Sequence, residues 1–205
     1  MKIVAEQIGK KYRKEWIFRR VNLILTAGTS YTFIGPNGSG KSTLLQLLAG
    51  NLPATEGQLA YSRNDTVIEP DNWFQQVSIA APYLELVEEL TLDELLTFHQ
   101  TFKPFKTNFT LEIITERLLL THARHKEIKY FSSGMKQRVK LGLAFFSESP
   151  IVILDEPTSN LDRQGMNWYQ EQVRQLSPDQ LLLIGSNQPE EYNFCPNVFD
   201  VMQWK

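Results

Sequence analysis

A single cysteine, Cys195, stands among the 205 residues of this chain, which excludes an internal disulfide framework and fits a reducing compartment. No histidine lies near it in sequence, so Cys195 reads as a lone packed or surface thiol rather than a reactive one. Long apolar runs are missing. Nothing approaches the roughly 20 residues needed to span a bilayer, and the longest runs, such as Ile151-Val152-Ile153-Leu154, are a few residues. The start, Met1-Lys2-Ile3-Val4-Ala5-Glu6, lacks the apolar core of a signal peptide. The expectation is a cytosolic chain whose membrane role, if it has one, runs through a partner. Charge of one sign is scarce too. A net charge of −2 argues against an intrinsic nucleic-acid binder, whose footprint is a strong basic excess. Histidine occurs only at positions 99, 122 and 125, and all three are expected at the surface. There is no internal repeat and no low-complexity linker.

What is present is concentrated in residues 35–43: Gly35-Pro36-Asn37-Gly38-Ser39-Gly40-Lys41-Ser42-Thr43. This run fills the pattern G-x-x-x-x-G-K-[ST], the phosphate-binding loop. A triphosphate has to be wrapped by backbone N–H groups, and side chains would block its approach. Gly35, Gly38 and Gly40 remove that obstacle. Lys41 brings a point charge to the β- and γ-phosphates, and the Ser42 hydroxyl can ligate Mg²⁺. A helix starting near Lys41 aims its positive end at the anion. Tyr31-Thr32-Phe33-Ile34 reads as the strand before the loop. Leu44-Leu45-Gln46-Leu47-Leu48-Ala49 reads as the helix after it, with Gly50 at its end.

Along the rest of the chain, residues 2–8 and 21–26 read as strands of an N-terminal antiparallel piece. The basic stretch between them, Lys10, Lys11, Arg13, Lys14, Arg19 and Arg20, is either a phosphate or headgroup contact or, more simply, a solvated hairpin. Residues 77–81 form a short buried strand ended by Pro82. Thr91-Leu92-Asp93-Glu94 is a capping box opening a helix to about residue 99. Residues 109–120 have helical spacing. Residues 151–154 and 181–184 read as buried parallel strands. Asp162 caps an amphipathic helix to about residue 176, and residues 198–204 read as a last strand. Strands alternating with helices around a phosphate loop give an α/β fold: a mostly parallel sheet with flanking helices, an N-terminal antiparallel β piece, and ATP at the carboxyl edge. Residues 1–205 read as one domain, with 1–82 and 147–205 as the nucleotide-binding core and 83–146 as an inserted helical subdomain.

Two acids, Asp155 and Glu156, follow the apolar strand directly. The first suits a Mg²⁺ ion, and the second suits accepting a proton from the attacking water. From Ile151 through Asp155-Glu156-Pro157-Thr158-Ser159-Asn160-Leu161 to Asp162, the chain resembles the ATP-binding cassette ATPases, over nearly its whole length. That stretch is similar to the family's Walker B strand, catalytic glutamate and D-loop. Phe131-Ser132-Ser133-Gly134-Met135-Lys136-Gln137-Arg138 resembles the family signature, and it precedes Walker B as the family requires. The resemblance implies that Ser132, Ser133 and Gly134, at a helix N-terminus suited to anions, face the γ-phosphate held by an opposite subunit. It implies that Tyr12 stacks on adenine, although an aromatic in a hairpin with Trp16 and Phe18 nearby is also commonly just packed.

The chain departs from the family at two places. A glutamine usually follows the strand at 77–81; here Ala81-Pro82-Tyr83 stand there, with Gln75 and Gln76 before the strand. A histidine usually follows the last core strand and grips the γ-phosphate; here Asn187 takes its place, a donor that carries no charge. With Glu156 present, the expectation is slow but real ATP hydrolysis with Mg²⁺. The resemblance implies the energising subunit of a transporter: a head-to-tail dimer with a second cassette ATPase, held on the inner face of the membrane by an integral permease. The segment 83–87, Tyr83-Leu84-Glu85-Leu86-Val87, lies where the family receives that permease, or else is buried within the helical region. The alternatives are a weakly or non-hydrolysing partner in a heterodimer, and a soluble cassette ATPase without transport.

Overall fold

The computed structural model describes residues 1–205 and divides into two units. The first comprises residues 1–79, 149–156 and 177–205, and the second residues 80–148 and 157–176.

The first unit holds two sheets. Strands β1 (Lys2–Tyr12) and β2 (Glu15–Thr26) form a long antiparallel hairpin. Alternation drives it: Val21, Leu23 and Leu25 turn inward while Ile24 faces out. The basic stretch serves this hairpin. The buried Lys10 gives its ammonium to the Pro53 carbonyl at 2.7 Å. Arg19 makes a two-point ion pair with Glu56 at 3.0 Å and lies 4.0 Å from the Trp16 ring centre.

Strand β3 (Ser30–Ile34) leads through the glycine-rich loop into α1 (Lys41–Leu48). Leu44, Leu45, Leu47 and Leu48 of α1 are fully buried, each worth roughly 1.5–3 kcal/mol of burial. Gly50, at φ 78°, ends the helix in the left-handed conformation that its lack of a side chain permits. Strands β4 (Glu56–Arg63) and β5 (Thr66–Ile68) complete the antiparallel sheet in the order β2-β1-β4-β5. After the short α2 (Trp73–Gln76), the second sheet is built from β6 (Val77–Ala80), β7 (Ile151–Asp155), β8 (Leu181–Gly185) and β9 (Asn197–Asp200) around β3, in the order β6-β7-β8-β3-β9. β7, β8, β3 and β9 run parallel. β7 and β8 are buried at every position, as their continuous apolar sequences demand. Both sheets and α1 share one core. The last strand is shorter than residues 198–204. The Asp200 carboxylate accepts from the Met202 N–H at 2.9 Å and turns the chain into a single helical turn, Val201–Trp204.

The second unit is helical. α3 (Leu92–Phe102) opens on the Thr91/Glu94 capping box and runs three residues past 99. α4 (Leu111–Arg117) is capped by Thr110 and is shorter than its apolar spacing implies, because Leu119 adopts φ 59°. α5 (Ser133–Phe146) and α6 (Arg163–Arg174) are capped by Ser132 and Asp162. Rings lock this unit: Phe146 stacks on Phe109 at 4.7 Å, and Phe145 meets Trp168 edge-on at 6.3 Å. His122 and His125 are exposed, but His99 is half-buried. It stacks on Phe105 at 5.4 Å, its Nε2 lies 2.8 Å from the Ser147 hydroxyl, and burial pushes its pKa down to about 4. The 83–87 segment is not buried: Tyr83 and Val87 are 40% and 43% exposed. Helix α5 holds this stretch through Lys140 Nζ, 3.2 Å from the Pro82 carbonyl, and through the Lys136–Glu88 ion pair.

Candidate functional site: a phosphate-binding loop and a paired-acid strand end

β3 delivers the chain into the loop at Gly35, which sits at φ 142°. Gly40 stands at φ 105° as the N-cap of α1, and a β-carbon there would meet Ile17 Cγ2 at 2.6 Å. Only glycine satisfies both demands. Lys41 is buried, and its Nζ bonds the Gly35 carbonyl at 2.7 Å and approaches that of Pro36 at 3.5 Å. The ammonium is thus held inside the curve of the loop. The Ser39 hydroxyl is buried there without a partner. A cleft opens here, lined by Asn37, Gly38, Gly40, Lys41, Ser42 and Thr43 of the loop and helix start together with Ile17 and Glu156.

The parallel register sets the acids opposite this loop. Asp155 ends β7, fully enclosed. Its neighbour across the sheet is Gly185, where a β-carbon would come within 2.8 Å of Asp155 Oδ1. Burial, together with the charge of Glu156, pushes the Asp155 carboxyl up to about 6, against the opposing pull of the Ser42 hydroxyl, which hydrogen-bonds it, and of Lys41. Asp155 Oδ1 has no partner. A buried, partnerless carboxylate oxygen beside a serine hydroxyl is a donor set of hard oxygens, which fits a Mg²⁺ ion. Glu156 is held at φ 45° by a bond from its N–H to the Gly185 carbonyl at 2.8 Å. That left-handed backbone costs on the order of 1 kcal/mol, and strain of this kind concentrates where a side chain has to be aimed.

Asn187 also lies at the loop: its Oδ1 accepts from the Gly35 N–H at 3.1 Å. Tyr12 is at the hairpin end, 47% exposed, with Lys10 Nζ 5.3 Å from its ring centre. Ile17 also lines the cleft. It carries no chemical signal, and only the hairpin brings it to the loop.

The second unit carries the other candidates. Ser132 Oγ accepts from the Met135 N–H at 3.2 Å and opens α5. A β-carbon on Gly134 would meet the Asn160 carbonyl at 3.0 Å. Gln137 donates to the Pro157 carbonyl at 2.7 Å, and Asp162 accepts from the Gly165 N–H at 2.8 Å. The 131–138 and 157–162 segments are therefore joined by direct contacts within this unit. Ala81, Pro82 and Tyr83 follow β6, with no glutamine among them, while Gln75 and Gln76 sit in α2.

A parallel sheet with a glycine-rich loop between β3 and α1 and an acid pair at the end of β7 defines a P-loop NTPase cassette. The ABC transporter family model matches residues 18–159, and the chain belongs to that family. It is 30% identical over 194 residues to the linearmycin resistance ATP-binding protein LnrL of Bacillus subtilis, covering 93% of this chain and 62% of that protein. It therefore spans about three fifths of the length of that relative. It is 29% identical over 194 residues to the cytochrome c biogenesis ATP-binding export protein CcmA of Chelativorans sp., covering 92% of this chain and 93% of that one. A dimeric bacterial ABC transporter cassette superposes with a TM-score of 0.79 at 19% identity, over 98% of this chain and 95% of that one, a likeness of fold. No helix is long and apolar enough to cross a membrane.

Proposed function

We propose that this chain is the ATP-binding and ATP-hydrolysing subunit of an ABC transporter, acting through ATP-driven dimer closure. The observation that carries the reading is the aim of Glu156, by a left-handed backbone, into a cleft walled by residues of the 35–43 loop. The loop amides and Lys41 bind the β- and γ-phosphates. Glu156 takes the proton of the attacking water, and Asn187 donates to the γ-phosphate. Ser42 and Asp155 hold Mg²⁺, which when bound offsets phosphate charge. Tyr12 carries the adenine. Ser132, Ser133 and Gly134 complete the site of an opposite subunit, with Asp162 in the D-loop beside it. Residues 83–146 serve as the signature subdomain of a single ABC domain spanning 1–205.

The dimer is supported by the dimeric cassette that shares this fold, and a transport role by the named roles of LnrL and CcmA. The implied partners are a second ATPase subunit and an integral permease, which places the chain on the cytoplasmic face of the membrane. Ala81-Pro82-Tyr83 and Asn187, in places where the family carries glutamine and histidine, favour slow turnover. They also support a second reading, a weakly hydrolysing partner in a heterodimer.

The test is Mg-ATP binding and steady-state hydrolysis by wild type, Lys41→Ala and Glu156→Gln. Loss of binding in the first variant, and loss of turnover with binding kept in the second, are expected. Unchanged nucleotide affinity in Lys41→Ala would refute the reading.

A further inference from the structure

Gly35 is gripped at both ends of its backbone. Its N–H donates to Asn187 Oδ1 at 3.1 Å, and its carbonyl accepts from Lys41 Nζ at 2.7 Å. The first contact follows from the sheet. β3 and β8 pair in parallel with Phe33 opposite Gly185, so continuing the register two residues past that pair sets Gly35 beside Asn187. Ser186 fixes the turn between them. Its N–H bonds the Phe33 carbonyl at 3.1 Å, and its hydroxyl accepts from the Gln188 N–H at 2.9 Å. The orientation of the Asn187 amide is settled by chemistry. A backbone N–H can only donate, so the atom facing Gly35 is the oxygen. The Nδ2 edge then points toward Asn37 Oδ1, 3.5 Å away, on the wall of the cleft.

We propose that Asn187 is a positioning residue for the phosphate loop. Its oxygen holds the Gly35 N–H, and through the backbone of that residue the carbonyl that Lys41 bonds, in the geometry that receives phosphate, while its NH₂ is left as an uncharged donor at the cleft. This rests on the nucleotide reading above and adds to it a role in the ground state, before any γ-phosphate is present. Neither function changes with protonation, because an amide does not titrate near neutrality.

Two variants separate the functions. Asn187→Ala removes both the acceptor and the donor, whereas Asn187→Asp keeps the acceptor and removes the donor. The first measurement needs no nucleotide: hydrogen exchange of the Gly35 amide by ¹⁵N NMR on the whole chain. Exchange at least about tenfold faster in Asn187→Ala, and close to wild type in Asn187→Asp, is expected. The second is ADP affinity by calorimetry, since ADP has no γ-phosphate and reads the loop without that contact. Asn187→Ala should weaken ADP about fivefold, the share of one neutral hydrogen bond. Asn187→Asp should weaken ATP more than ADP. Wild-type exchange at Gly35 in Asn187→Ala overturns the contact. Faster exchange with unchanged ADP affinity overturns the positioning role. A wild-type chain that binds neither ADP nor ATP overturns the nucleotide reading and this role with it, while a Gly35 exchange response would still stand as a fact of the fold.

Discussion

The Ser42 hydroxyl hydrogen-bonds the carboxyl of Asp155, and the Oδ1 atom of that carboxyl is buried with no partner in the protein. In the metal-free chain this is a destabilising arrangement at neutral pH. Burial raises the folded-state pKa to about 6 from 3.8. A carboxyl raised in this way contributes its full stability below pH 3.8 and loses it as pH climbs through 6. The loss has a ceiling of about 3 kcal/mol. With EDTA present, Asp155→Asn should therefore match wild type in urea unfolding near pH 4 and exceed it by about 1–3 kcal/mol at pH 7.5. Mg²⁺ should raise wild type and leave the variant unmoved. Wild type more stable than the variant at pH 7.5 in EDTA would show that Asp155 is not strained by its burial.

Gly40 offers a prediction of backbone and packing together. At φ 105°, with a prospective β-carbon 2.6 Å from Ile17 Cγ2, Gly40→Ala has to shift either the loop or the hairpin. A cost of about 1–3 kcal/mol is expected from overpacking and backbone strain. Gly38, at φ 79° with open space where a β-carbon would sit, is the control. Gly38→Ala has only the backbone term and should cost about 1 kcal/mol. Equal melting temperatures for the two variants would remove Ile17 from the account of the loop.

The strand, loop and helix around residues 35–43 were legible because their chemistry needs glycine and lysine at fixed spacing. So were the caps at Thr91 and Asp162, which are local in sequence. What escaped was nonlocal. Ile17 reaches the cleft only because the β1–β2 hairpin returns to the loop, and no single residue announces that. Asn187 was singled out, but its bond to Gly35 spans 152 positions and depends on the β3–β8 register. The short β9 escaped because one carboxylate, Asp200, ends it, while the apolar residues beyond suggested more strand. His99 looked like a surface residue because its partner Ser147 lies 48 positions away.

His99 gives a pH dependence opposite to that of Asp155. The Ser147 hydroxyl gives its proton to the Leu143 carbonyl at 2.6 Å, so His99 Nε2 is the donor in their contact. Burial, and secondarily the charge of Lys103, lower its pKa to about 4 from 6.5. A depressed histidine pKa gives stability that is present above 6.5 and lost as pH falls toward 4. His99→Gln keeps a donor for Ser147 and cannot be protonated, so it should flatten the loss of stability between pH 6.5 and 4. Because Asp155 acts in the other direction over part of this range, differences between variants and wild type are the proper readout. Parallel pH profiles for wild type and His99→Gln would mean that the ring charges freely in the folded chain.

The dimer can be tested by dividing its labour between two chains. Under the head-to-tail reading, each nucleotide lies between the 35–43 loop of one subunit and the Ser132–Ser133–Gly134 helix start of the other. Ser132 caps a 14-residue helix, so Ser132→Ala costs about 1 kcal/mol through the lost cap alone. Ser132→Arg adds bulk and charge where the opposite phosphate would sit. In a Glu156→Gln background, in which ATP is bound without turnover, the parent should elute as a dimer with Mg-ATP. Adding Lys41→Ala removes ATP binding, and adding Ser132→Arg removes the receiving surface, so each should elute as a monomer. Mixed one to one, they can form a single intact site, from the loop of the Ser132→Arg chain and the signature of the Lys41→Ala chain. Because like pairs do not form, unlike pairing can draw in both chains, and a dimer that appears only on mixing is the expected result. A mixture that stays monomeric while the parent dimerises would mean that the site is not shared between subunits. A parent that stays monomeric at saturating ATP would favour pairing with a different cassette.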